Sequence, residues 1–190
     1  ARRKDHSREE LTQLAIEAGR QLVARNGPAA LTARNVAKEI GYTPGTLYNI
    51  FENIDALAAA INIVSMDAFA EKLANIIESN SDSPTRLREV SQAYLDFLKE
   101  EPHLWSLLFA FPIDHHSEPY TRAIHRIFDQ VTECIEPLCA DSESARRKAK
   151  VLWSTLHGIC LLAQIGKLNV HQKDTPEALT QEFLKIFIQN

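Results

Sequence analysis

The feature that most constrains the fold is a pair of short helical segments between residues 32 and 51, separated by a turn of three residues. Thr32 is suited to cap the first segment, and Gly41 is suited to end it. Thr43 followed by Pro44 places a capping residue and a proline at the start of the second segment. The pattern predicts two short helices joined by a tight turn, with small residues where the second helix begins.

The other segments with a clear period also have helical spacing, and no run alternates as a β-strand does. A Ser-x-x-Glu capping box at residues 7–10 begins the first helix, and Asn-Gly-Pro at 26–28 ends it. A long helix begins at Asn53 or Asp55, and a polar loop at 79–84 follows it. Five further helices are expected at about 84–100, 102–110, 119–139, 142–167 and 176–189.

These segments predict an all-α fold of about nine helices. A three-helix N-terminal domain is expected over residues 1–53, and a helical domain over residues 54–190. The formal net charge is −4, yet residues 1–50 carry eight lysines and arginines against five acidic residues. The remaining residues carry 13 basic and 20 acidic side chains. A basic end on an acidic body is typical of a phosphate-binding head, although an unevenly charged surface without function gives the same counts.

The two short helices have the form of a helix-turn-helix, which presents the start of its second helix to a groove of DNA. Pro44 and Gly45 keep side-chain bulk away from that approach, and backbone N–H groups at a helix start are suited to meet phosphate. The residue identities are more specific. Residues 31–51, LTARNVAKEIGYTPGTLYNIF, closely resemble the N-terminal domain of the tetracycline-repressor (TetR) family, and the resemblance extends over about residues 8–60.

The resemblance implies a role for each matching residue. Arg34 matches a position that contacts a base or a phosphate, and Tyr48 matches the tyrosine whose hydroxyl contacts the DNA backbone. Asn49 lies at a base-facing position, where an amide could pair with adenine. The residues implied to bind DNA are Arg34, Thr43, Pro44, Gly45, Thr46, Tyr48 and Asn49.

Two further positions bear on DNA binding. Ile54 departs from the family, which commonly has a phosphate-binding lysine at this point, so we expect fewer ionic contacts with DNA. The basic segment Arg2-Arg3-Lys4 is either an arm that adds DNA contacts or a solvated terminus.

In the second half, Trp153 and His157 lie four residues apart and therefore share one helix face, next to Gly158. The segment WSTLHG resembles a W-x-x-x-H-G element of one class of C-terminal domains in the family. The preferred interpretation of Trp153 is a core residue. The functional alternative makes His157 the polar group of an apolar effector cavity between helices. The residues predicted to line this pocket are Trp105, Phe109, Phe128, Trp153 and His157.

The last two helices carry more apolar residues than a single inward stripe requires, so they need a partner. The resemblance supplies one, because these regulators pair through their last two helices into a four-helix bundle. Two heads related by a two-fold axis would read a palindromic site with half-sites roughly 34–36 Å apart, or a multiple of that distance. The residues predicted for the dimer interface are Leu152, Ile159, Phe183, Ile186 and Phe187.

Other classes of protein lack support in the sequence. No Gly-rich phosphate loop, HExxH or GxSxG motif occurs, so we expect no enzyme, no catalytic residue and no cofactor. Asp114, His115 and His116 could bind a metal, but in a proline-bounded loop they are expected to be solvated, and no metal site is predicted.

The compartment is predicted from three absences in the sequence. No apolar run approaches the roughly 18 residues of a membrane span, and no hydrophobic signal segment follows the N-terminus. The three cysteines lack disulfide or zinc spacing. We expect a cytoplasmic protein without membrane contact, in which the cysteines are small core residues. They are Cys134, Cys139 and Cys160.

Together these observations predict a sequence-specific DNA-binding transcriptional regulator, with repression as the working hypothesis. Its expected partners are a double-stranded DNA operator, a small and largely apolar effector, and a second copy of the chain. Two alternatives stay open. One is an architectural DNA-binding protein without an effector, and the other is a ligand- or partner-binding helical protein with a degenerate DNA head.

Overall fold

A computed structural model describes residues 6–79, 82–111, 118–170 and 172–189. Every regular element within these ranges is a helix, and the predicted all-α fold with nine helices is confirmed there. Two short 3₁₀ turns, Pro28–Ala30 and Glu136–Leu138, follow α1 and α7. The helices are α1 (Arg8–Asn26), α2 (Ala33–Ile40), α3 (Pro44–Tyr48), α4 (Ile54–Glu78), α5 (Ser83–Glu100), α6 (Pro102–Ala110), α7 (Glu118–Ile135), α8 (Ser142–Gln164) and α9 (Pro176–Gln189).

Side-chain caps fix where several of the helices begin. Each cap accepts a hydrogen bond from a backbone N–H in the first turn, which satisfies a donor that has no partner inside the helix. The Ser7 cap is reciprocal, because the Glu10 carboxylate also accepts from the Ser7 N–H at 2.7 Å. Asn53, rather than Asp55, caps α4. The predicted caps confirmed in this way are Ser7, Thr32, Asn53 and Thr175.

Two helices end earlier than the sequence pattern predicted. The helix expected to reach residue 139 stops at Ile135, because Pro137 lacks an N–H and its ring would clash with a carbonyl one turn back. The helix expected to reach residue 167 stops at Gln164. There the chain turns through Gly166, whose φ of +69° is a conformation that favours glycine.

The helices form two compact units. In the first unit, residues 6–66 fold together with 101–111 and 118–121. Helix α1 passes close to α4 at Gly19, where a Cβ atom would lie 2.7 Å from Ile61 Cδ1. A side chain at this position would therefore force the buried Ile61 side chain to shift. The core of this unit contains Val23, Val36, Leu47, Leu57, Ile61, Leu104, Trp105 and Leu107.

The second unit comprises residues 67–79, 82–100, 122–170 and 172–189. Helices α5, α8 and α9 contact one another and enclose its apolar core. Burial raises the pKa of Cys134 to about 11 and that of Cys160 to about 12. These two cysteines are core residues as predicted, whereas Cys139 is half-buried. The core includes Leu73, Leu87, Leu95, Ile135, Leu152, Leu156 and Leu184.

The line between these units differs from the predicted domain boundary at residues 53/54. It falls inside α4 at 66/67 and inside α7 at 121/122, so the first unit also contains the start of α4 and all of α6. The predicted boundary separates a DNA-binding part from an effector-binding and dimerisation part. That functional division stays a prediction.

Candidate functional site

The turn between α2 and α3 depends on Gly41. This residue has φ +75°, a left-handed conformation, and an added Cβ would meet no atom within 4 Å. The backbone angle therefore selects glycine here, and crowding does not. Beyond it, the Tyr42 N–H donates to the Ala37 carbonyl at 2.8 Å and closes the end of α2. The turn fixes the direction in which α3 leaves.

Helix α3 is five residues long and is anchored to the core by Leu47, which is 3 % exposed. Thr43 precedes it as predicted, but its hydroxyl does not cap the backbone. Instead Thr43 Oγ1 lies 3.1 Å from Thr46 Oγ1, so the two hydroxyls share a hydrogen bond at the surface. The expected side-chain cap was wrong, and Pro44 at the first position explains why the helix still starts here.

The structure brings the predicted DNA-binding residues to the surface of two helices that contact each other, α2 and α3. Tyr48 is 57 % exposed even though it follows the buried Leu47. Thr46 is half-buried, and the other predicted residues are exposed, namely Arg34, Thr43, Pro44, Gly45 and Asn49. A surface of hydroxyl, amide and guanidinium groups can donate and accept hydrogen bonds with bases and phosphates.

Ile54 begins α4 beside this surface and is half-buried. It lines a void of ≈ 10 Å³ together with Leu47, Tyr48, Phe51 and Leu57. The side chain therefore packs among apolar groups, where the family commonly has a charged one.

Two long-range contacts that the sequence did not indicate support the helix-turn-helix. Arg25 Nη2 on α1 lies 3.1 Å from Glu39 Oε1 on α2. His6 Nδ1, just before α1, lies 2.7 Å from the hydroxyl of Tyr42 in the turn. Side-chain pairs more than ten residues apart carry no periodic signal, so sequence analysis had no means to find them.

In the second unit, three of the five predicted pocket residues lie together. The rings of Trp153 and His157 stack at 5.8 Å with an angle of 15°, and Phe128 meets Trp153 edge-on at 5.9 Å. His157 Nδ1 lies 3.3 Å from the hydroxyl of Tyr94, a neighbour that sequence analysis missed. Burial lowers the pKa of His157 below its ordinary value, which favours the neutral imidazole.

Trp153 itself is 40 % exposed, so the expectation that it is a core residue was wrong. The other two predicted pocket residues, Trp105 and Phe109, belong to the first unit, where their rings lie 5.2 Å apart. Trp105 is buried and Phe109 is exposed. Whether the five residues form one pocket stays a prediction.

The residues predicted for the dimer interface differ in exposure. Leu152 is 1 % exposed and packs inside its own unit, so its assignment to an interface was wrong. Ile159, Phe183 and Phe187 are half-buried, and Ile186 is 60 % exposed. Besides Trp153, the large apolar residues that α8 exposes are Val151, Leu161 and Leu162, and Ile165 just after the helix is exposed as well.

Some sequence predictions lie outside the described residues, namely those for Arg2, Arg3, Lys4, Asp114, His115 and His116. Among the residues that the structure describes, no group of histidine, cysteine and acidic side chains could hold a metal ion. None of the described helices has the length and apolar character needed to cross a membrane.

Comparison with known proteins identifies the family. Residues 15–61 match the model of the tetR family of bacterial regulatory proteins, and residues 87–187 match that of the tetracyclin repressor-like C-terminal domain. The chain belongs to the TetR family. Members of this family are DNA-binding transcriptional regulators, and the helix-turn-helix described above lies inside the first match.

Individual relatives of this TetR-family chain are distant. An uncharacterized HTH-type transcriptional regulator of Mycobacterium tuberculosis is 25% identical over 171 residues, which are 90% of this chain and 77% of the relative. The nucleoid occlusion factor SlmA of Vibrio cholerae is 21% identical over 168 residues, 88% of this chain and 84% of that protein. The solved structure of Thermus thermophilus FadR, a TetR family repressor in complex with lauroyl-CoA, has a TM-score of 0.70 at 15% identity. That likeness covers 94% of this chain and 93% of the other, and it shows a shared fold.

Proposed function

We propose that this TetR-family regulator is a dimeric repressor that leaves a palindromic operator when a small, largely apolar effector binds. The observation that carries the proposal is the exposed start of α3, which presents polar groups around the buried anchor Leu47. In this proposal the DNA-binding function belongs to residues 1–53, and effector binding and dimerisation belong to residues 54–190. Because the target is chromosomal DNA, the protein acts in the bacterial cytoplasm, and its task is regulation and not catalysis.

DNA recognition in this proposal uses Tyr48 and Arg34 for the backbone and Asn49 for a base edge. The Thr43–Thr46 hydroxyl pair is exposed at the start of α3, where one hydroxyl can turn toward a phosphate without breaking the backbone of α3. Pro44 and Gly45 add no long side chain, so α3 can approach the groove floor closely.

The test begins with selection of sheared DNA from the source organism on the purified protein. A palindromic fragment bound tightly is the expected result. Tyr48→Phe and Arg34→Ala should each weaken its binding about five- to tenfold, because a hydrogen bond or charge contact with DNA is worth roughly 1–1.5 kcal/mol. Arg146→Ala, an exposed arginine of the second unit, is the matched control. No preferred sequence, or equal losses in all three variants, contradicts the DNA-binding assignment.

The effector proposal rests on the aromatic group of Phe128, Trp153 and His157 with Tyr94 beside it. One polar ring among apolar ones suits a ligand with a hydrophobic body and a single polar group. The fold shared with a lauroyl-CoA complex makes acyl-CoA a reasonable first probe. Lauroyl-CoA should raise the melting temperature and release the selected DNA, with free coenzyme A as the control. Release by coenzyme A alone, or no release, contradicts an apolar acyl effector.

Dimerisation is proposed to use the exposed apolar residues of α8 and Ile186 of α9, with the half-buried Ile159, Phe183 and Phe187 at its edge. Ser154 and Gly158 lie on the same side of α8 as Val151 and Ile165, so a second helix can approach closely there. An added Cβ at Gly158 would meet no atom of the chain within 4 Å.

Ile165→Asp should convert the dimer into a monomer and reduce affinity for the palindromic fragment by about 100-fold or more, since it buries a charge in an apolar interface and uncouples the two heads. Asn169→Asp adds the same charge at a nearby exposed position and serves as the control. Sedimentation equilibrium gives the oligomeric state. A wild-type monomer at micromolar concentration, or a dimer unaffected by Ile165→Asp, contradicts the interface.

The likeness to a nucleoid occlusion factor favours a second candidate, an architectural DNA-binding protein without an effector. Such a protein would bind many chromosomal sites and would not regulate a particular promoter. Mapping of bound sites in cells separates the two. A few sites upstream of genes support the repressor, whereas sites spread over the chromosome and unchanged expression support the second candidate.

A further inference from the structure

In the last turn of α1, the Ala24 carbonyl lacks the backbone donor that an α-helix normally supplies. Helix α1 ends at Asn26, and Gly27 leaves the helical path with φ +80°. The donor that would normally reach the Ala24 carbonyl belongs to the residue four positions on, which is Pro28 and has no N–H. The Ala24 carbonyl is therefore left to accept from water or from another part of the chain.

His103 supplies this donor from the start of α6. Its Nδ1 lies 2.9 Å from the Ala24 carbonyl oxygen. A carbonyl accepts and cannot donate, so Nδ1 carries the hydrogen. The imidazole also lies against Gly27, where an added Cβ would come within 3.8 Å of His103 Cδ2. The end of α1 and the ring of His103 thus fit each other both by a hydrogen bond and by contact.

A second polar contact lies one turn earlier. Arg20 Nη2 is 3.3 Å from Glu101 Oε1, and both side chains are about two-thirds buried. Arg20 and Ala24 are four residues apart and share one face of α1. Glu101 and His103 are the residue before α6 and the second residue within it. The start of α6 is therefore joined to the last two turns of α1 by two contacts of different kinds.

We propose that His103 is a positioning residue for DNA recognition, because it holds the point at which α1 ends against the start of α6. That point leads through the 3₁₀ turn Pro28–Ala30 to the Thr32 cap, and hence to α2 and α3. The proposal rests on the DNA-binding function proposed above. It also connects α6, which carries Trp105 and Phe109, to the helix-turn-helix through the end of α1.

The test compares His103→Ala with His103→Asn. Asparagine keeps an N–H attached to Cγ, as Nδ1 is, and can donate to the same carbonyl. His103→Ala should weaken binding of the selected palindromic fragment about five- to tenfold, with little change for a scrambled duplex of the same length. His103→Asn should bind like the wild type. Sequence-specific contacts require a fixed head, whereas non-specific binding depends mainly on charge.

Hydrogen exchange gives a readout that needs no DNA. His103→Ala should speed exchange of the Gly27 amide, which donates to the Val23 carbonyl at 2.8 Å, and His103→Asn should not. Wild-type fragment affinity and wild-type exchange in His103→Ala overturn the proposal, as do equal losses in both variants. If the exchange result holds while the wild type selects no DNA sequence, His103 still positions α1, but both its role in recognition and the proposed function fail.

Discussion

The helix-turn-helix and helix α8 are specified in different ways. In residues 32–51 the helices start and stop at capping residues, glycine and proline, so local chemistry determines which side chains face outward. Along α8 the apolar residues outnumber the buried positions. Val151 and Leu152 are neighbours in sequence, yet Val151 is exposed and Leu152 is buried. A site built at helix ends can therefore be predicted from sequence, whereas a site on the side of a long helix depends on which face the tertiary fold already buries.

The largest effect is expected from changing that pair of neighbours. Leu152→Ala should lower the free energy of unfolding by about 2–5 kcal/mol, because it leaves a cavity in the core of the second unit. Val151→Ala, which removes a half-exposed side chain, should change it by less than about 0.5 kcal/mol in a monomeric background. Urea unfolding of both variants in the Ile165→Asp background measures the difference without dimerisation.

A loss of stability at Val151 as large as that at Leu152 would mean that α8 is rotated about its axis so that Val151 also faces the core. The dimer face would then need to be redrawn, because it is defined by the residues that the core leaves exposed.

The next effect concerns the close approach of α1 and α4. Gly19→Ala should destabilise the chain by about 1–3 kcal/mol, since its Cβ would meet Ile61 Cδ1 in a filled core. Ile61→Val removes that methyl group and alone should cost about 0.5–1.5 kcal/mol. The double variant should be more stable than the sum of the two predicts, as measured by chemical unfolding. Additive losses would place the strain elsewhere, for example at Leu31 Cδ1, 3.2 Å from the added atom.

The smallest effect is a pH dependence at His157. Burial lowers the pKa of this imidazole in the folded chain, so the unfolded chain binds a proton more readily. The contribution to stability is present above the unfolded pKa of about 6.5 and is lost as the pH falls toward the lower pKa of the folded state. The melting temperature should therefore fall more between pH 7.5 and 5.5 in the wild type than in His157→Gln. An identical fall in both proteins would contradict this role.

Much of the first unit was predictable because its signals are local. Ser7, Thr32 and Asn53 mark helix starts, since short polar side chains reach the free N–H groups of the first turn. Gly41 marks the end of α2 for an equally local reason, its positive φ. The seven proposed DNA-binding residues follow from the same short segment and from its family resemblance.

The sequence predictions were wrong where a local signal was missed or where another contact in the fold prevailed over it. The hydroxyl of Thr43 bonds with Thr46 in preference to the backbone, a choice between two nearby partners that composition does not decide. Pro137 and Gly166 carried signals for the ends of α7 and α8 that the apolar period obscured. Leu152 was predicted at an interface but is buried, and Trp153 was predicted in the core but is exposed. Helical spacing shows which residues share a face of a helix, but it does not show which face the rest of the fold covers.

The brevity of α3 limits how much sequence information one head can extract. Five residues span about 7.5 Å, the height of two or three base pairs at roughly 3.4 Å each. Two heads then specify about four to six base pairs, or roughly 8–12 bits, against the roughly 20 bits needed to single out one site among about 10⁶ competitors. The missing information must come from half-site spacing and from the deformability of bases that no side chain touches. A recognition helix this short selects a set of related binding sites. The number of those sites in the genome determines how many copies of the protein are needed to occupy them.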